Sequence, residues 1–96
     1  MVPSNRVSSH PGEILQQEFL EPLALSVEAF SRHVELPVAV VRSLVEGKSA
    51  MAPELAWLLG MATGTGPELW MNLQSAYDLT RNRPQRTVQK LVGSTV

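Results

Sequence analysis

Apolar residues recur at intervals of three and four along most of this chain, which is the spacing that places side chains on one face of a helix. The alternation of apolar and polar residues that is typical of half-buried strands is absent. The pattern therefore predicts an all-α fold, whose first apolar stripe consists of Ile14, Leu15 and Phe19.

Proline, serine and glycine mark the ends of five predicted helices. Proline suits the first helical turn, serine can cap the first amides, and glycine suits the residue after the last turn. Ser26 is the predicted cap of the second helix, and Gly47 closes the third. On these signals the helices cover about residues 11–21, 27–34, 37–46, 53–62 and 67–83.

The second and third predicted helices form a unit, because only Glu35 and Leu36 separate them. So short a connection makes two helices cross steeply, as in the helix-turn-helix units that place their second helix in the major groove of DNA. The unit therefore predicts DNA binding. Apolar residues from both helices and the turn are spaced to share one small core, namely Phe30, Val34, Leu36, Val41 and Leu44.

The predicted fourth helix is apolar nearly all the way round, so its sequence indicates no single buried face. We interpret it as a central core helix, and the alternative is a partner-binding patch of Trp57, Leu58 and Met61. The fifth helix carries a narrower apolar stripe of the kind that normally meets a core. This stripe consists of Leu69, Trp70, Leu73, Ala76 and Tyr77.

A chain of 96 residues forms one small domain with modest burial, which dimerisation would stabilise. It has no cysteine, which excludes disulfides and thiolate metal sites, and its two histidines cannot by themselves fill a zinc shell. No apolar run is long enough to span a bilayer, and residues 1–10 lack the apolar segment of a secretion signal. We therefore expect a soluble cytoplasmic protein.

The net charge of −1 argues against a strong nonspecific nucleic-acid binder, but the charges are unevenly distributed. Residues 10–21 carry three glutamates and no lysine or arginine, whereas residues 81–96 carry three arginines, one lysine and no acid. Two interpretations of the basic end stay open, a solvated surface or one that grips phosphates or an acidic partner. Beyond Pro84 the tail has no clear period, and three states stay open for it: disorder, an added strand, or an arm that orders on a partner.

The two histidines do not indicate catalysis, because the chain offers no convergent set of acids, bases and nucleophiles. His10 precedes a helix, where a histidine more often supports a turn or a cap. His33 falls late in the second helix, where we expect it on the surface. We expect no enzymatic activity, no metal site and no cofactor.

Three stretches carry a family likeness, namely "HPGEILQQEFLEPLALS", the helix-turn-helix unit and "APELAWLLGMATGTGPELWMNLQSAYDL". Over about residues 10–79 the chain closely resembles the HigA-type antitoxins, also called VapI-like, of the XRE helix-turn-helix family. The resemblance implies a compact five-helix, lambda-repressor-like domain at residues 10–83, between a flexible arm (1–9) and the basic tail (84–96). It also implies a homodimer that neutralises an mRNA-cleaving HigB-like toxin and represses its own operon by binding palindromic operator DNA, without a membrane partner.

Carried over to this chain, the DNA-reading surface of the family falls on the third helix and its flanks. The DNA-contacting residues that the resemblance implies are Ser26, Arg32, Pro37, Val38, Ala39, Arg42, Ser43 and Lys48. Arg42 is the best base or phosphate contact among them, whereas Val38 and Ala39 can touch only thymine methyl groups. The fifth helix of relatives commonly contributes to dimerisation, although a monomer core would use the same side chains equally well. The candidates there are Trp70, Leu73 and Tyr77.

Several positions depart from the pattern of the family. Relatives favour glycine in the turn, where this chain has Glu35, and Glu46 adds a second negative charge near the expected phosphates. Ala52 stands where relatives often carry a capping threonine, and Leu58 and Met61 stand at positions that are usually basic. We therefore expect weaker electrostatic DNA binding than in relatives. The alternative function is a protein-interaction module with the same fold that has largely lost specific DNA binding.

Overall fold

The computed structural model describes residues 9–92, and all regular structure in that range is helical. The all-α fold with five helical segments is therefore confirmed for this part of the chain. Residues 1–8 of the expected arm (1–9) and residues 93–96 of the tail lie outside the described residues. The elements are α1 (Pro11–Ile14), a π-helical segment that directly continues it (Leu15–Leu20), α2 (Val27–Val34), α3 (Val38–Val45), α4 (Pro53–Thr63) and α5 (Pro67–Arg81).

The first helix differs from the prediction of one α-helix over residues 11–21. Its second half is π-helical, and the amide of Glu21 donates to the carbonyl of Gln16 over 2.9 Å. A bond between residues five apart widens the turn and brings such residues onto one side of the helix. Leu15 and Leu20 are five apart and both fully buried, so the wide turn places two leucines in the core.

The predicted ends of the other helices are confirmed to within one residue, except that α5 ends at Arg81, two residues before the predicted end. Ser26 caps α2, since its Oγ accepts a hydrogen bond from the amide of Ala29 over 3.0 Å. Pro37, predicted as the first residue of α3, is instead its N-cap with ψ 141°, and Gly47 after α3 has the expected positive φ of 75°. Ala52 precedes α4 without a side-chain cap, as its methyl group requires.

The core lies where α1, the π-helical segment, α2, α3, α4 and α5 meet. The expected sharing between α2 and α3 is confirmed, with Phe30, Val41 and Leu44 buried and Val34 and Leu36 packed beside them. The buried apolar side chains are Leu15, Leu20, Phe30, Val41, Leu44, Met51, Ala56, Leu59 and Trp70.

Two glycines allow helices to approach more closely than any side chain would permit. A Cβ on Gly12 would lie 1.7 Å from the carbonyl oxygen of Leu44, so α1 rests directly on the backbone of α3. A Cβ on Gly60 would lie 2.4 Å from the carbonyl carbon of Gly66, where the turn before α5 folds back on α4. Both contacts are with backbone atoms, which cannot rotate away.

Helix α4 corrects the interpretation as a helix covered on all sides. It buries Ala56, Leu59 and Gly60 but leaves Trp57 57% exposed and Met61 68% exposed. Gly60 lies against the backbone of the turn before α5, Leu59 enters the core, and Trp57 and Met61 point outward. The outer side of α4 is therefore an apolar surface in the isolated chain.

The apolar stripe of α5 is only partly confirmed. Trp70 is fully buried, whereas Leu69 and Ala76 are exposed. Gln74, four residues after Trp70, is buried, and its Oε1 accepts a hydrogen bond from the amide of Met51 over 2.6 Å. This bond ties the loop before α4 to α5. Residues 84–92 of the tail are exposed and form neither helix nor strand, so an added strand is not formed over that part of it.

Candidate nucleic-acid interface

The turn between α2 and α3 sets the angle at which α3 is presented. Glu35 ends α2 with φ 58° and ψ 46°, the left-handed conformation that glycine adopts most easily. The amide of Leu36 then donates to the carbonyl of Ser31 over 3.0 Å, which closes the end of the helix. The turn therefore requires a left-handed residue, and in this chain that residue is a glutamate, which adopts the conformation at a cost in strain.

Helix α3 has one side in the core and one side in solvent. Val41 and Leu44 are each 1% exposed and anchor the helix. Of the predicted reading residues on α3, Ala39 and Arg42 are exposed, whereas Val38 and Ser43 are half-buried, and Pro37 is exposed at the cap. The sequence reasoning missed Val40, which is 40% exposed on the same helix. The sequence gave no signal for this, because the exposed Val40 and the buried Val41 are adjacent residues of the same type.

Arg42 is not free in the isolated chain, because its Nη2 donates to the carboxylate of Glu28 at the start of α2. The two side chains are 45% and 52% exposed, so the pair lies at the surface. The pKa of the Glu28 carboxyl is held below its usual range first by a hydrogen bond from its own backbone amide, and then by Arg42. Glu28 therefore stays ionised, and the sequence reasoning had not connected it with α3.

The other basic groups lie on either side of α3. Lys48, in the loop after α3, pairs with Glu46 over 3.2 Å, and both side chains are largely in water. Arg32 on α2 is exposed. The side chain of Ser26 is occupied by the cap of α2. The predicted contact residues thus lie on α2, on α3 and in the loop after it, and two of the three cations, Arg42 and Lys48, are paired with carboxylates.

The predicted partner-binding residues divide into three groups. Trp57 and Met61 are exposed on α4 with half-buried Leu58 beside them, and a cleft of about 350 Å³ lies between Leu58 and Met61 on one side and the α2–α3 turn on the other. Leu73 and Tyr77 are half-buried on α5. Trp70 offers no surface, since its ring packs 5.7 Å from the ring of Phe19, and its Nε1 donates to Thr65 over 3.1 Å. For Trp70, the structure shows the core placement that the sequence had left open.

His10 acts as a helix cap, as its position predicted. Its Nδ1 accepts a hydrogen bond from the amide of Gly12 over 2.9 Å, and its ring meets Tyr77 edge-on at 4.9 Å. His33 is exposed, as expected. Within residues 9–92, no group of three or more His, Asp or Glu side chains is placed to hold a metal ion. No helix in that range has the length and apolar character needed to cross a membrane.

Comparison with known proteins identifies relatives of the whole helical region, although no family model matches the chain. The chain is 41% identical over 76 residues to antitoxin HigA-1 of Vibrio cholerae, which covers 77% of this chain and 71% of the relative. It is 34% identical over 88 residues to the uncharacterised HTH-type transcriptional regulator YddM of Escherichia coli, which covers 90% of this chain and 93% of the relative.

Among solved structures, the Pseudomonas aeruginosa antitoxin HigA with the higBA promoter is similar with a TM-score of 0.74. It is 35% identical in sequence, and the alignment covers 77% of this chain and 80% of that one.

Proposed function

This chain belongs to the HigA antitoxin family of helix-turn-helix regulators, and on that premise we propose that it is a repressor of its own operon and the antitoxin of a toxin–antitoxin pair. Its activity is binding, without catalysis or a cofactor. A repressor acts where its operator lies, so the proposed place of action is the cytoplasm. The proposed DNA-binding domain spans residues 10–83, with the basic tail as an accessory segment.

The observation that carries the DNA-binding proposal is the orientation of α3. Two buried residues, Val41 and Leu44, fix the helix in the core, while Ala39 and Arg42 face solvent from the opposite side. A helix held in this way can enter a major groove without any rearrangement of the fold. The left-handed turn at Glu35 packs α2 against the buried side of α3.

The chemistry of the exposed side gives each residue a proposed role. Arg42 reads guanine, because a guanidinium can bond its O6 and N7 together, at a discrimination of about 1–3 kcal/mol. Ser43 bonds a base or a phosphate, and Val38 and Ala39 contact thymine methyl groups. Arg32 and Lys48, with the amides that start α2 at Ser26, contact phosphates, which supply affinity rather than sequence preference.

A homodimer is proposed because one α3 covers only a few base pairs. Two copies placed one helical turn apart, about 34 Å, read a palindromic site with far greater selectivity. Leu73 and Tyr77 on α5 are candidates for the dimer contact. The apolar surface of Trp57, Leu58 and Met61 on α4 is a candidate for a protein partner, either the second copy or the toxin.

A titration with salt tests the DNA-binding proposal. Binding to a duplex with the chain's own promoter should weaken as salt rises, with a slope of about 0.9 in log affinity against log salt for each phosphate contacted. A random duplex of equal length should bind much more weakly at every salt concentration. Equal and weak binding of both duplexes would contradict the proposal and favour the alternative, a protein-interaction module that keeps the fold.

The antitoxin proposal needs its own experiment. The proposal expects a small basic protein in the neighbouring reading frame, and co-expression with that product should give a stable complex and restore growth that the product alone suppresses. Replacing both Trp57 and Met61 with serine tests whether α4 forms the contact, with Leu79→Ser as a control because Leu79 is 74% exposed on α5. Complex formation that survives the double substitution would remove α4 from the toxin interface.

A further inference from the structure

The side chain of Arg42, the proposed base contact, forms an ion pair with a residue of another helix. Its partner Glu28 lies 14 residues earlier in the chain, at the start of α2, so the pair bridges the two helices of the helix-turn-helix unit. Glu28 lies in the first turn of α2, two residues after the cap Ser26. The guanidinium is therefore paired with a group on a second packed helix, whereas an unpaired exposed arginine is free to change rotamer.

The geometry of the pair leaves Arg42 able to read DNA. A guanidinium has five N–H groups, and the contact with Glu28 involves Nη2. Nη1 and Nε have no protein partner among the hydrogen bonds within residues 9–92. Nη2 carries a second N–H, which lies parallel to an N–H of either Nη1 or Nε, so two parallel bonds to a guanine can form while the bond to Glu28 remains in place.

Two opposite effects of Glu28 on DNA binding have to be weighed. A carboxylate near phosphates repels any duplex, and an exposed pair of this kind changes an equilibrium by at most roughly fivefold. Immobilising a long side chain before binding avoids an ordering cost of roughly twofold to tenfold in affinity. Only the second effect depends on Arg42 making an ordered contact, so it strengthens binding to the correct sequence and not to random DNA.

We propose that Glu28 is a positioning residue for operator recognition, which orients Arg42 toward a base edge and thereby raises the preference for operator over random DNA. The inference rests on the proposed function, because it presupposes that α3 reads DNA. It assigns a favourable role in DNA binding to an acidic residue on α2, where net charge alone would predict the opposite.

Whether Glu28→Ala weakens or strengthens promoter binding distinguishes positioning of Arg42 from electrostatic repulsion of the DNA. Glu28→Ala should weaken binding to the promoter duplex by roughly threefold or more, and should leave binding to a random duplex of equal length unchanged or stronger. The matched control is Glu46→Ala, which removes the carboxylate of the pair with Lys48. That control should strengthen binding to both duplexes by the same factor, because Lys48 is a proposed phosphate contact.

A second pair of variants tests whether Glu28 acts through Arg42. In an Arg42→Ala background, Glu28→Ala should no longer weaken promoter binding, and its effect should match that of Glu46→Ala. Circular dichroism with thermal melting of each variant shows that the helices are intact, as expected for two half-exposed side chains.

The outcomes distinguish failure of the positioning role of Glu28 from failure of the proposed DNA-reading function. Promoter binding that becomes stronger in Glu28→Ala overturns the positioning role, and so does a loss that persists without Arg42. A wild-type protein that binds promoter and random DNA equally overturns the DNA-reading function, and this inference with it. Weakened promoter binding in Glu28→Ala that depends on Arg42, beside an opposite effect of Glu46→Ala, supports both.

Discussion

Replacing Glu35 with glycine should stabilise the fold and strengthen DNA binding at the same time. Glu35 has φ 58° and ψ 46°, a left-handed conformation that costs an L-residue about 1–2 kcal/mol. Glycine removes this cost but gives the unfolded chain more freedom, which offsets about 0.5–1 kcal/mol of the gain. The expected net stabilisation is about 0.5–1 kcal/mol, or roughly 2–8 °C in Tm for a domain of this size.

Two control variants separate the strain at Glu35 from its charge. Ala24 shares the positive φ, at 56°, and is uncharged, so Ala24→Gly should raise Tm by a similar amount and leave DNA affinity unchanged. Glu35→Gln removes the charge and keeps the strain. It should therefore leave Tm unchanged and strengthen promoter binding, since one negative charge near the phosphates is lost.

Scanning calorimetry and a promoter titration at fixed salt give the two readouts for each variant. If Glu35→Gly is no more stable than Glu35→Gln, the argument from backbone strain is refuted. If neither glutamate variant changes promoter affinity, Glu35 does not lie near bound phosphates, and the proposed placement of the turn on DNA fails with it.

Further predictions concern the reading residue, a phosphate contact, a close backbone approach and acid sensitivity. Arg42→Ala should weaken promoter binding and relax its sequence preference while toxin binding is kept; unchanged promoter affinity in a competition assay would remove Arg42 from the reading role. Lys48→Ala should weaken binding to all duplexes alike and make the salt slope shallower by about 0.9, which salt titrations of two unrelated duplexes would check. Gly12→Ala should destabilise the fold by about 3 kcal/mol or more in denaturant unfolding, because the new Cβ meets a backbone carbonyl of α3. Gly64→Ala is its control, since a Cβ there meets no atom within 4 Å beyond its chain neighbours and its φ of 74° adds only the cost of a left-handed residue, about 1–2 kcal/mol; an equal loss in both would contradict the packing argument. Because the pKa of Glu28 is lowered in the fold, its carboxylate stabilises the protein above the usual glutamate pKa of about 4.3, and this contribution is lost as the pH falls through the lowered pKa. The Tm difference between wild type and Glu28→Ala should thus be constant between about pH 6 and 8 and vanish in stronger acid. A difference that grows on acidification would contradict a lowered pKa of Glu28 in the folded protein.

Much of the fold could be predicted because its signals are local. Ser26 caps a helix with its own hydroxyl, and Gly47 ends one with its own backbone, so neither depends on distant residues. The core of α2 and α3 could also be predicted, since the two-residue connection leaves little choice in how the helices meet. The role of His10 as a cap was recognisable for the same reason, as its bond reaches only two residues along the chain.

Prediction failed where several faces of a helix were equally apolar. The hydrophobic pattern of α4 has almost no direction, so only its neighbours decide that Ala56 and Leu59 are buried and that Trp57 is not. The π-helical segment likewise depends on tertiary contacts, because it forms where Leu15 and Leu20 both enter the core. A spacing of five residues does not belong to the pattern of an α-helix, and the sequence therefore favoured the wrong helix type.

The sequence by itself determined the helical class, the helix-turn-helix unit and the family likeness, because periodicity and end signals act over a few residues. It also indicated Arg42 as the leading contact from the chemistry of its side chain. Only the tertiary structure decided that Arg42 is paired with Glu28, that Trp70 belongs to the core, and that α4 presents an apolar surface. These features join residues from different helices, and their distances depend on how the helices pack.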